Sequence, residues 1–418
     1  MPPPYLTISK RFEFSASHRC YRPEWSDEQN LTVFGMEARG LYGHGHNYEV
    51  DFVFNGPIDA LTGMMINFVA IKQRIKPILD QRYDHKYLNA DTPPFNAVVP
   101  TAENLAVQLL KDVHPLFEQE KSHPVACHLL QSPTSETTAY ADGRVERHIW
   151  LEFSATRTTC SPHLSEPENR QLFGIAASPS GHGHNYRLRI TLAGEVHPEH
   201  GMIITDRESR KELAALQAEL DHRNLNKDLP ALRGLPITTE ILARFVWERL
   251  KSSLPVCRVR LYEKSDFFVE YRDQNEFSMG IQRDFYAAHR LHNPRLSNEE
   301  NRRIFQLCNN PQGHGHQYRV ECTIAGQLDE RSGILFPLDR LIQGVESAVE
   351  SWNYKHLDLE TEDFVTQPST GENIVWTLWP RISAAIDRPL YRLRLWETPS
   401  NRFTLRESVY QHELMNET

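Results

Sequence analysis

CNNPQGHGHQY, residues 308–318, is the segment that decides the fold, because its core Gly-His-Gly-His occurs twice more in the chain. The other copies are YGHGHNY at 42–48 and SGHGHNY at 180–186. Only the last copy has a cysteine six residues before its first histidine. The copies lie close to one third of the 418-residue chain apart, which indicates a repeated small domain rather than a solenoid turn.

Other phrases recur in register with these copies. Those of the first third are RFEFSASH at 11–18, TGMMINF at 62–68, YDHKYLN at 83–89 and PTAENLA at 100–106, and each has counterparts in the other two thirds. The recurrence fills the chain with three units. We predict unit one at residues 1–145, unit two at 146–274 and unit three at 275–418.

Each unit has the pattern strand, strand, helix, helix, strand, strand. NYEVDFVFNG and QYRVECTIAG alternate apolar and polar residues before a glycine, which is typical of strands that end in a turn. TAENLAVQLLKDVHPLF has helical spacing behind a threonine cap. This ββααββ order predicts an α+β fold with an antiparallel sheet and two helices on one of its faces.

The composition is that of a globular protein, with 39 % hydrophobic and 24 % charged residues. No apolar run reaches the roughly eighteen residues of a membrane span, and the start MPPPYLTISK lacks the apolar core of a signal peptide. We therefore expect a cytoplasmic protein. Six cysteines without a C-x-x-C pair argue against a disulfide framework, and the net charge of −9 argues against a general nucleic-acid surface.

The repeated His-x-His pair is a candidate metal site. Alternate residues of a strand point to the same face, and a histidine at the end of the preceding strand can supply a third ligand. Three neutral imidazoles suit Zn²⁺ and leave one position open for water or substrate, whereas the alternative is a turn with solvated histidines. The candidate ligands are His18, His44 and His46 in unit one and His289, His314 and His316 in unit three.

Unit two departs from this pattern. His182 and His184 remain, but Arg157 stands where the third ligand is expected. A guanidinium cannot ligate a metal cation and repels it. We predict that unit two holds no metal.

Taken together, F-S-A-x-H, C-N-N-P-x-G-H-G-H-x-Y, T-G-M, D-H-x-x-L-N and P-T-x-E-N resemble the family of 6-pyruvoyl-tetrahydropterin and 6-carboxytetrahydropterin synthases. The resemblance covers nearly the whole chain, once per unit. It implies the tunnelling fold, in which three subunits join their sheets into a twelve-stranded barrel with the helices outside, and two such trimers stack. This chain would then be a covalent pseudo-trimer, and a homodimer of pseudo-trimers is possible.

The resemblance also implies a zinc-dependent lyase that acts on 7,8-dihydroneopterin triphosphate. The C-N-N-P-x-G-H-G-H form is closer to the pyruvoyl synthase than to the carboxy synthase of the queuosine pathway, but the product stays open. Two other functions remain. One is a catalytically inactive scaffold that binds a pterin or purine, and the weaker one is hydrolysis like that of GTP cyclohydrolase.

Family members move a proton with a cysteine, assist it with an Asp-His pair and anchor the pterin with a glutamate. A thiol near a metal and an imidazolium can ionise near neutral pH, and a carboxylate can accept paired hydrogen bonds from an amino-pyrimidine edge. The implied catalytic residues are Cys308, Asp84, His85, Asp221 and His222. The implied substrate-binding residues are Glu397, Glu372 and Thr370. The alternatives are a small buried hydrophobe for Cys308 and a helix-end cap for Asp84-His85.

No unit keeps every part of this set. The position of Cys308 corresponds to Ala38 in unit one and Ala176 in unit two. Unit three has Asn353-Tyr354 in place of the Asp-His pair, and unit one has Gln131 in place of the anchoring glutamate. We therefore expect the units to complete one another across their joints.

If each unit borrows from the next one round the ring, unit three takes Asp84-His85 from unit one. The opposite order pairs unit three with Asp221-His222. We favour the first order, because it places the broken metal site of unit two opposite the broken pair of unit three. Unit one then has a metal without a cysteine, where Glu37 is either a base or a neighbour of a structural metal.

Overall fold

The computed structural model of the chain describes residues 5–407. Residues 1–4, part of the start from which we predicted no signal peptide, lie outside this range. Unit one contains β1 (Tyr5–His18), α1 (Asp27–Phe34), β2 (His44–Asn55), α2 (Phe68–Arg82), β3 (Lys86–Tyr87), α3 (Leu88–Asp91), α4 (Ala102–Val113), β4 (His123–Ser132) and β5 (Ser135–Tyr140).

Units two and three repeat this series. Unit two contains β6 (Val145–Arg157), α5 (Glu166–Phe173), β7 (His182–Gly194), α6 (Asp206–Leu220), β8 (Arg223–Asn224), α7 (Leu225–Asp228), α8 (Thr239–Leu250), β9 (Val256–Lys264) and β10 (Phe267–Arg272). Unit three contains β11 (Glu276–His289), α9 (Asn298–Phe305), β12 (His314–Gly326), α10 (Leu338–Glu350), β13 (Lys355–His356), α11 (Leu357–Glu360), α12 (Gly371–Ile386), β14 (Arg392–Thr398) and β15 (Asn401–Arg406). The predicted unit boundaries remain predictions.

The twelve long strands close into one antiparallel barrel. Their order is β10-β9-β7-β6-β5-β4-β2-β1-β15-β14-β12-β11, and β11 pairs again with β10. The units join where β5 pairs with β6, β10 with β11, and β15 with β1. Closure leaves these strands without a free edge. The barrel confirms the predicted α+β tunnelling fold of three tandem units.

The same core contact recurs in every unit. A phenylalanine of the first long strand stacks on the tyrosine that follows the His-x-His pair. The ring centroids are 4.9, 4.9 and 5.0 Å apart for Phe14–Tyr48, Phe153–Tyr186 and Phe285–Tyr318. Such pairs stabilise the sheet beyond the apolar area that they bury. They also fix the His-x-His strand against its neighbour directly below the candidate metal sites.

A threonine at the start of the second long helix ties each unit to the next. Thr370 caps α12 by accepting a hydrogen bond from Asn373 N–H, and its hydroxyl donates to the carbonyl of Gly63 in unit one at 2.8 Å. Equivalent bonds run from Thr101 to Gly201 and from Thr238 to Gly333. Each helix start therefore docks on the turn of the following unit that corresponds to T-G-M at 62–64, in the ring order one to two, two to three and three to one.

The predicted pattern omitted a short helix between the first two long strands of each unit. These helices, α1, α5 and α9, begin with capping boxes at Ser26, Ser165 and Ser297. The S-x-x-E/Q signature was present in the sequence. Within residues 5–407, no helix has both the length and the apolar character needed to cross a membrane.

Candidate functional site

Unit three brings its three predicted histidine ligands together. His289 at the end of β11 pairs with His314 at the start of β12, and their Nε2 atoms are 3.2 Å apart. His316 lies two residues on, on the same face of the strand, and its Nε2 is buried without a hydrogen-bond partner in the described chain. The three ligand atoms lie within 4.8 Å of one another.

This geometry fits a metal ion. Two nitrogens that are each about 2.0 Å from a tetrahedral ion are about 3.3 Å apart, close to the observed 3.2 Å. His289 uses Nδ1 to contact the carbonyl of Ser369 at 2.9 Å, which leaves Nε2 as the ligand atom. Burial lowers the pKa of His289 to about 3, so the imidazole is neutral near pH 7.

Unit one has three histidines at the equivalent positions and a carboxylate beside them. His18, His44 and His46 cluster with Glu37, one of whose oxygens lies 3.0 Å from His44 Nε2 and 3.3 Å from His18 Nε2. Burial alone would raise the pKa of Glu37, but the hydrogen bond and charge of His18 lower it to about 2. Glu37 is therefore an ionised carboxylate at ligand distance from the histidines.

The structure corrects the predicted alignment of Cys308. In each unit the third residue of a 3₁₀ turn accepts a backbone hydrogen bond through its carbonyl, and that residue is Cys308, Ala176 or Glu37. Glu37, and not Ala38, is thus the counterpart of Cys308 in unit one. One extra residue between the turn and His44 shifted the count from the sequence.

Cys308 lies in the 3₁₀ turn Gln306–Asn309, before the strand that carries His314 and His316. Its side chain is half-buried, and burial followed by the charge of Glu397 raises the pKa of its thiol. A nearby positive charge would be needed to oppose this shift. Glu397 lies 3.7 Å from His289 Nε2, which places the predicted anchor beside the metal ligands.

In unit two, Arg157 lies among the remaining ligands. Its guanidinium is 2.5 Å from Glu263 and 3.0 Å from the hydroxyl of Thr239, while the other oxygen of Glu263 is 3.1 Å from His184 Nε2. The opposite charge of Arg157 overcomes the effect of burial and lowers the pKa of Glu263. His182, His184 and Glu263 are close enough to share an ion, so the empty site of unit two stays a prediction.

Thr370 and Glu372 lie at the joint between units three and one. Glu372 accepts a hydrogen bond from the backbone N–H of Met65 at 3.0 Å, and burial raises its pKa to about 7. Asn67 of unit one donates to the carbonyl of Ile304, close to the turn of Cys308. The structure therefore brings Thr370 and Glu372, two of the three predicted substrate-binding residues, against unit one.

The Asp-His pairs lie at the surface of their own units. Asp84 accepts from the N–H of Ser15 and contacts His85 Nδ1 at 2.9 Å, and Asp221 has the same contacts with Ser154 and His222. The side chains of His85 and His222 are each 83 % exposed. Within residues 5–407, no hydrogen bond or ion pair joins either couple to Cys308.

A cleft of about 460 Å³ opens between units one and two. Glu37, His46 and Gln131 line its unit-one side, and Arg147 and Trp150 line the other. The amide of Gln131 is 3.3 Å from Glu37 and 3.2 Å from His46. Unit one thus has Gln131 where an anchoring glutamate was expected, and this glutamine contacts two residues of the candidate metal cluster, Glu37 and His46.

One family matches the chain three times, once in each unit. The family is described as 6-pyruvoyl tetrahydropterin synthase, and the matched residues are 7–141, 152–274 and 279–408.

Individual relatives match about one unit of the chain. The 6-pyruvoyl tetrahydrobiopterin synthase of Drosophila melanogaster is 39 % identical over 125 residues, which cover 29 % of this chain and 74 % of the relative. The human protein of that name is 37 % identical over 128 residues, covering 30 % and 88 %. The solved structure of the Caenorhabditis elegans 6-pyruvoyl tetrahydropterin synthase is 34 % identical, with a TM-score of 0.31 and coverage of 32 % and 96 %.

Proposed function

Because the chain belongs to the 6-pyruvoyl tetrahydropterin synthase family, we propose that it is a lyase that converts 7,8-dihydroneopterin triphosphate to 6-pyruvoyl-tetrahydropterin. The observation that carries the proposal is the combination in unit three of three converging imidazoles, a thiol in the preceding turn and a carboxylate beside them. The carboxy product is the alternative outcome of the same chemistry. We place the protein in the cytoplasm.

Enzymes of this family use a divalent metal, and we propose Zn²⁺ held by His289, His314 and His316. When bound there, the ion would polarise a substrate oxygen and acidify the neighbouring C–H. Cys308 would accept the proton released from that carbon. Glu397 would accept hydrogen bonds from the amino-pyrimidine edge, and Glu372 would lie at the same joint between the units.

We propose that unit one instead holds a structural metal. Four protein ligands close a tetrahedral site, whereas three leave a position for substrate. Glu37 makes the cluster of unit one a four-ligand set, and the cluster of unit three has three. This reading gives the chain one reactive centre. Glu37→Gln should weaken metal binding in unit one and leave turnover nearly unchanged, whereas loss of turnover would make Glu37 the base of a second centre.

The Asp-His pair completes the reactive centre from outside unit three. Unit three docks on unit one through Thr370 and Glu372, which supports Asp84-His85 as the partner of Cys308. The exposure of His85 also suits a homodimer in which two barrels stack and each presents this pair to the other. We propose this homodimer and Asp84-His85 as the pair that serves Cys308.

The proposal is tested by turnover with and without a chelator. The purified chain is incubated with 7,8-dihydroneopterin triphosphate, and inorganic triphosphate is followed by ³¹P NMR. We expect release that stops after chelation and returns with Zn²⁺. Binding of the substrate without release under either condition would instead support the inactive pterin-binding scaffold.

A further inference from the structure

The lumen of the barrel contains a cavity of about 230 Å³ that lies outside the candidate metal sites. Strands of all three units line it, among them β4, β9 and β14. Seven arginines line this cavity, against two carboxylates, Glu136 and Glu146. Glu270, which is buried beside the lining, pairs with two of these arginines, Arg258 and Arg260. Such an excess of buried cations is costly unless other charges compensate for it.

The strand pattern explains why the arginines face inward. On β14, Arg392 and Arg394 alternate with Leu393 and Leu395, and both leucines are fully buried. Successive side chains of a strand point to opposite faces, so the leucines pack under the helices while the arginines enter the lumen. The phrase CRVRLYEK on β9 repeats this arrangement. Unit one has His128 at the position of Arg394.

The carboxylates around the lumen do not match the arginines one to one. Glu321 alone serves both Arg392, at 3.2 Å, and Arg394, at 3.1 Å. Within residues 5–407, the carboxylate paired with Arg402 is Asp51, at a distance of 3.9 Å, and Asp51 also pairs with Arg11. Arg402 also lies over the ring of Trp396 at 6.0 Å, a contact that adds no negative charge. The β14–β15 side of the lumen therefore has more cations than anions.

The lining histidines do not change this balance. His128 lies in the cavity wall, and burial lowers its pKa to about 4. His148 is fully buried, and its pKa is lowered as well. Both are neutral near pH 7, so the positive charge of the lumen comes from the arginines alone.

Two of these arginines also retain donors that nothing in the described chain accepts. The Nε atoms of Arg392 and Arg394 are buried and have no hydrogen-bond partner within residues 5–407. The side chain of Arg392 is only 2 % exposed. Burial, followed by the charge of Arg392, lowers the pKa of Arg394, although the charge of Glu321 opposes this shift.

We propose that the barrel lumen binds an inorganic oligophosphate anion through Arg392, Arg394 and Arg402. Guanidinium groups bind phosphate oxygens with paired, charge-assisted hydrogen bonds, and an anion here would supply both the missing acceptors and the missing charge. The cavity is smaller than the roughly 300–1,000 Å³ of sites for drug-sized ligands, so the anion binds without an attached nucleoside. The proposal does not depend on the reaction assigned to unit three.

Titration calorimetry of the full chain with sodium tripolyphosphate tests the proposal, at an ionic strength held constant with NaCl. Arg394→Gln removes one lumen donor. Arg319→Gln is the matched control, because Arg319 pairs with Asp284 and is half exposed. We expect Arg394→Gln to weaken tripolyphosphate binding at least about tenfold and Arg319→Gln to leave it unchanged. ATP should bind much more weakly than tripolyphosphate.

Thermal unfolding of the same proteins guards against a variant that merely fails to fold. Without anion, Arg394→Gln should unfold at a temperature no lower than Arg319→Gln, because it removes one of two neighbouring cations while Glu321 keeps its pair with Arg392. With tripolyphosphate, the wild-type and Arg319→Gln midpoints should rise and that of Arg394→Gln should rise less. Equal binding by both variants, or an equal rise with NaCl alone, would overturn the proposal, and binding of ATP as tight as that of tripolyphosphate would refute a site for inorganic anions.

Discussion

At the residue scale, the three units differ by single side chains at equivalent positions. The same backbone position carries a thiol in unit three, a carboxylate in unit one and a methyl group in unit two. Likewise, the position of the third candidate metal ligand carries an imidazole in units one and three and a guanidinium in unit two. The chemistry of each unit therefore follows from a few side chains on a shared backbone.

Arg157→His tests the metal sites at this scale. The change removes a cation and supplies the third imidazole beside His182 and His184. We expect the metal content of the purified chain to rise by one ion, measured by inductively coupled plasma mass spectrometry after dialysis. The double variant Arg157→His, His184→Ala is the control and should return to the wild-type content. An unchanged metal content of Arg157→His would show that Arg157 does not decide whether unit two holds a metal.

The sequence predicted which histidines cluster in units one and three but misaligned one neighbour, Glu37. His-x-His on a strand is readable because side chains alternate along it. Glu37 was misaligned because unit one has one extra residue in the turn before His44, where Gly40 and Gly43 both adopt positive φ. Counting along a sequence cannot detect an insertion that a flexible turn absorbs.

At the element scale, the joints between units depend on the T-G-M turns. Gly63 has a φ of +70°, and a Cβ built on it would lie 2.6 Å from the side-chain nitrogen of Asn373 in α12. This turn also presents Met65 to Glu372. The helix start and the turn therefore fit together only when the glycine is present.

Gly63→Ala should destabilise the protein more than Gly143→Ala. Both glycines have positive φ, so both changes strain the backbone by about 1–2 kcal/mol, but an added Cβ at Gly143 meets nothing within 4 Å. The added clash in Gly63→Ala should lower the free energy of unfolding by at least about 1 kcal/mol more. Urea denaturation measures both values. Equal destabilisation would show that the joint between units three and one adapts freely.

The elements were predictable to different degrees. Strand alternation and the capped second helix gave the α+β order, since both patterns are local. The R-x-R pattern on the strands was also visible in the sequence. That these arginines face a common lumen could not be predicted, because it depends on closure of the barrel. Which residues share a lumen or a joint is set by the ring of β-strands, and no local pattern specifies it.

At the scale of the whole molecule, one chain forms a ring of three units, and each of the relatives described above matches about one unit. Because the three units lie in one chain, each can carry a different side chain at an equivalent position, as Cys308, Glu37 and Ala176 do. Unit three contacts unit one through Glu372 and Thr370, but the ring order that we predicted for the Asp-His pairs stays a prediction. The Asp-His pairs, however, lie exposed on their own units.

Mixing two inactive chains tests how the pair reaches Cys308. Cys308→Ala lacks the thiol and His85→Ala lacks the imidazole. If the pair crosses between stacked barrels, equal amounts of the two chains, unfolded and refolded together, should regain a substantial fraction of wild-type turnover. No recovery would place the pair and the thiol in the same chain. His222→Ala is the comparison, because abolition of turnover by this change alone would reverse the assignment of the pair.

We propose that the thiol and three imidazoles of unit three form the reactive centre of the chain. The most direct measurement is the rate of triphosphate release from 7,8-dihydroneopterin triphosphate by Cys308→Ala, with its metal content checked. A general base contributes about 10²- to 10⁴-fold, so the rate should fall by that factor while the metal stays bound. Release at the wild-type rate from a correctly folded Cys308→Ala chain would show that the reactive centre does not use this thiol.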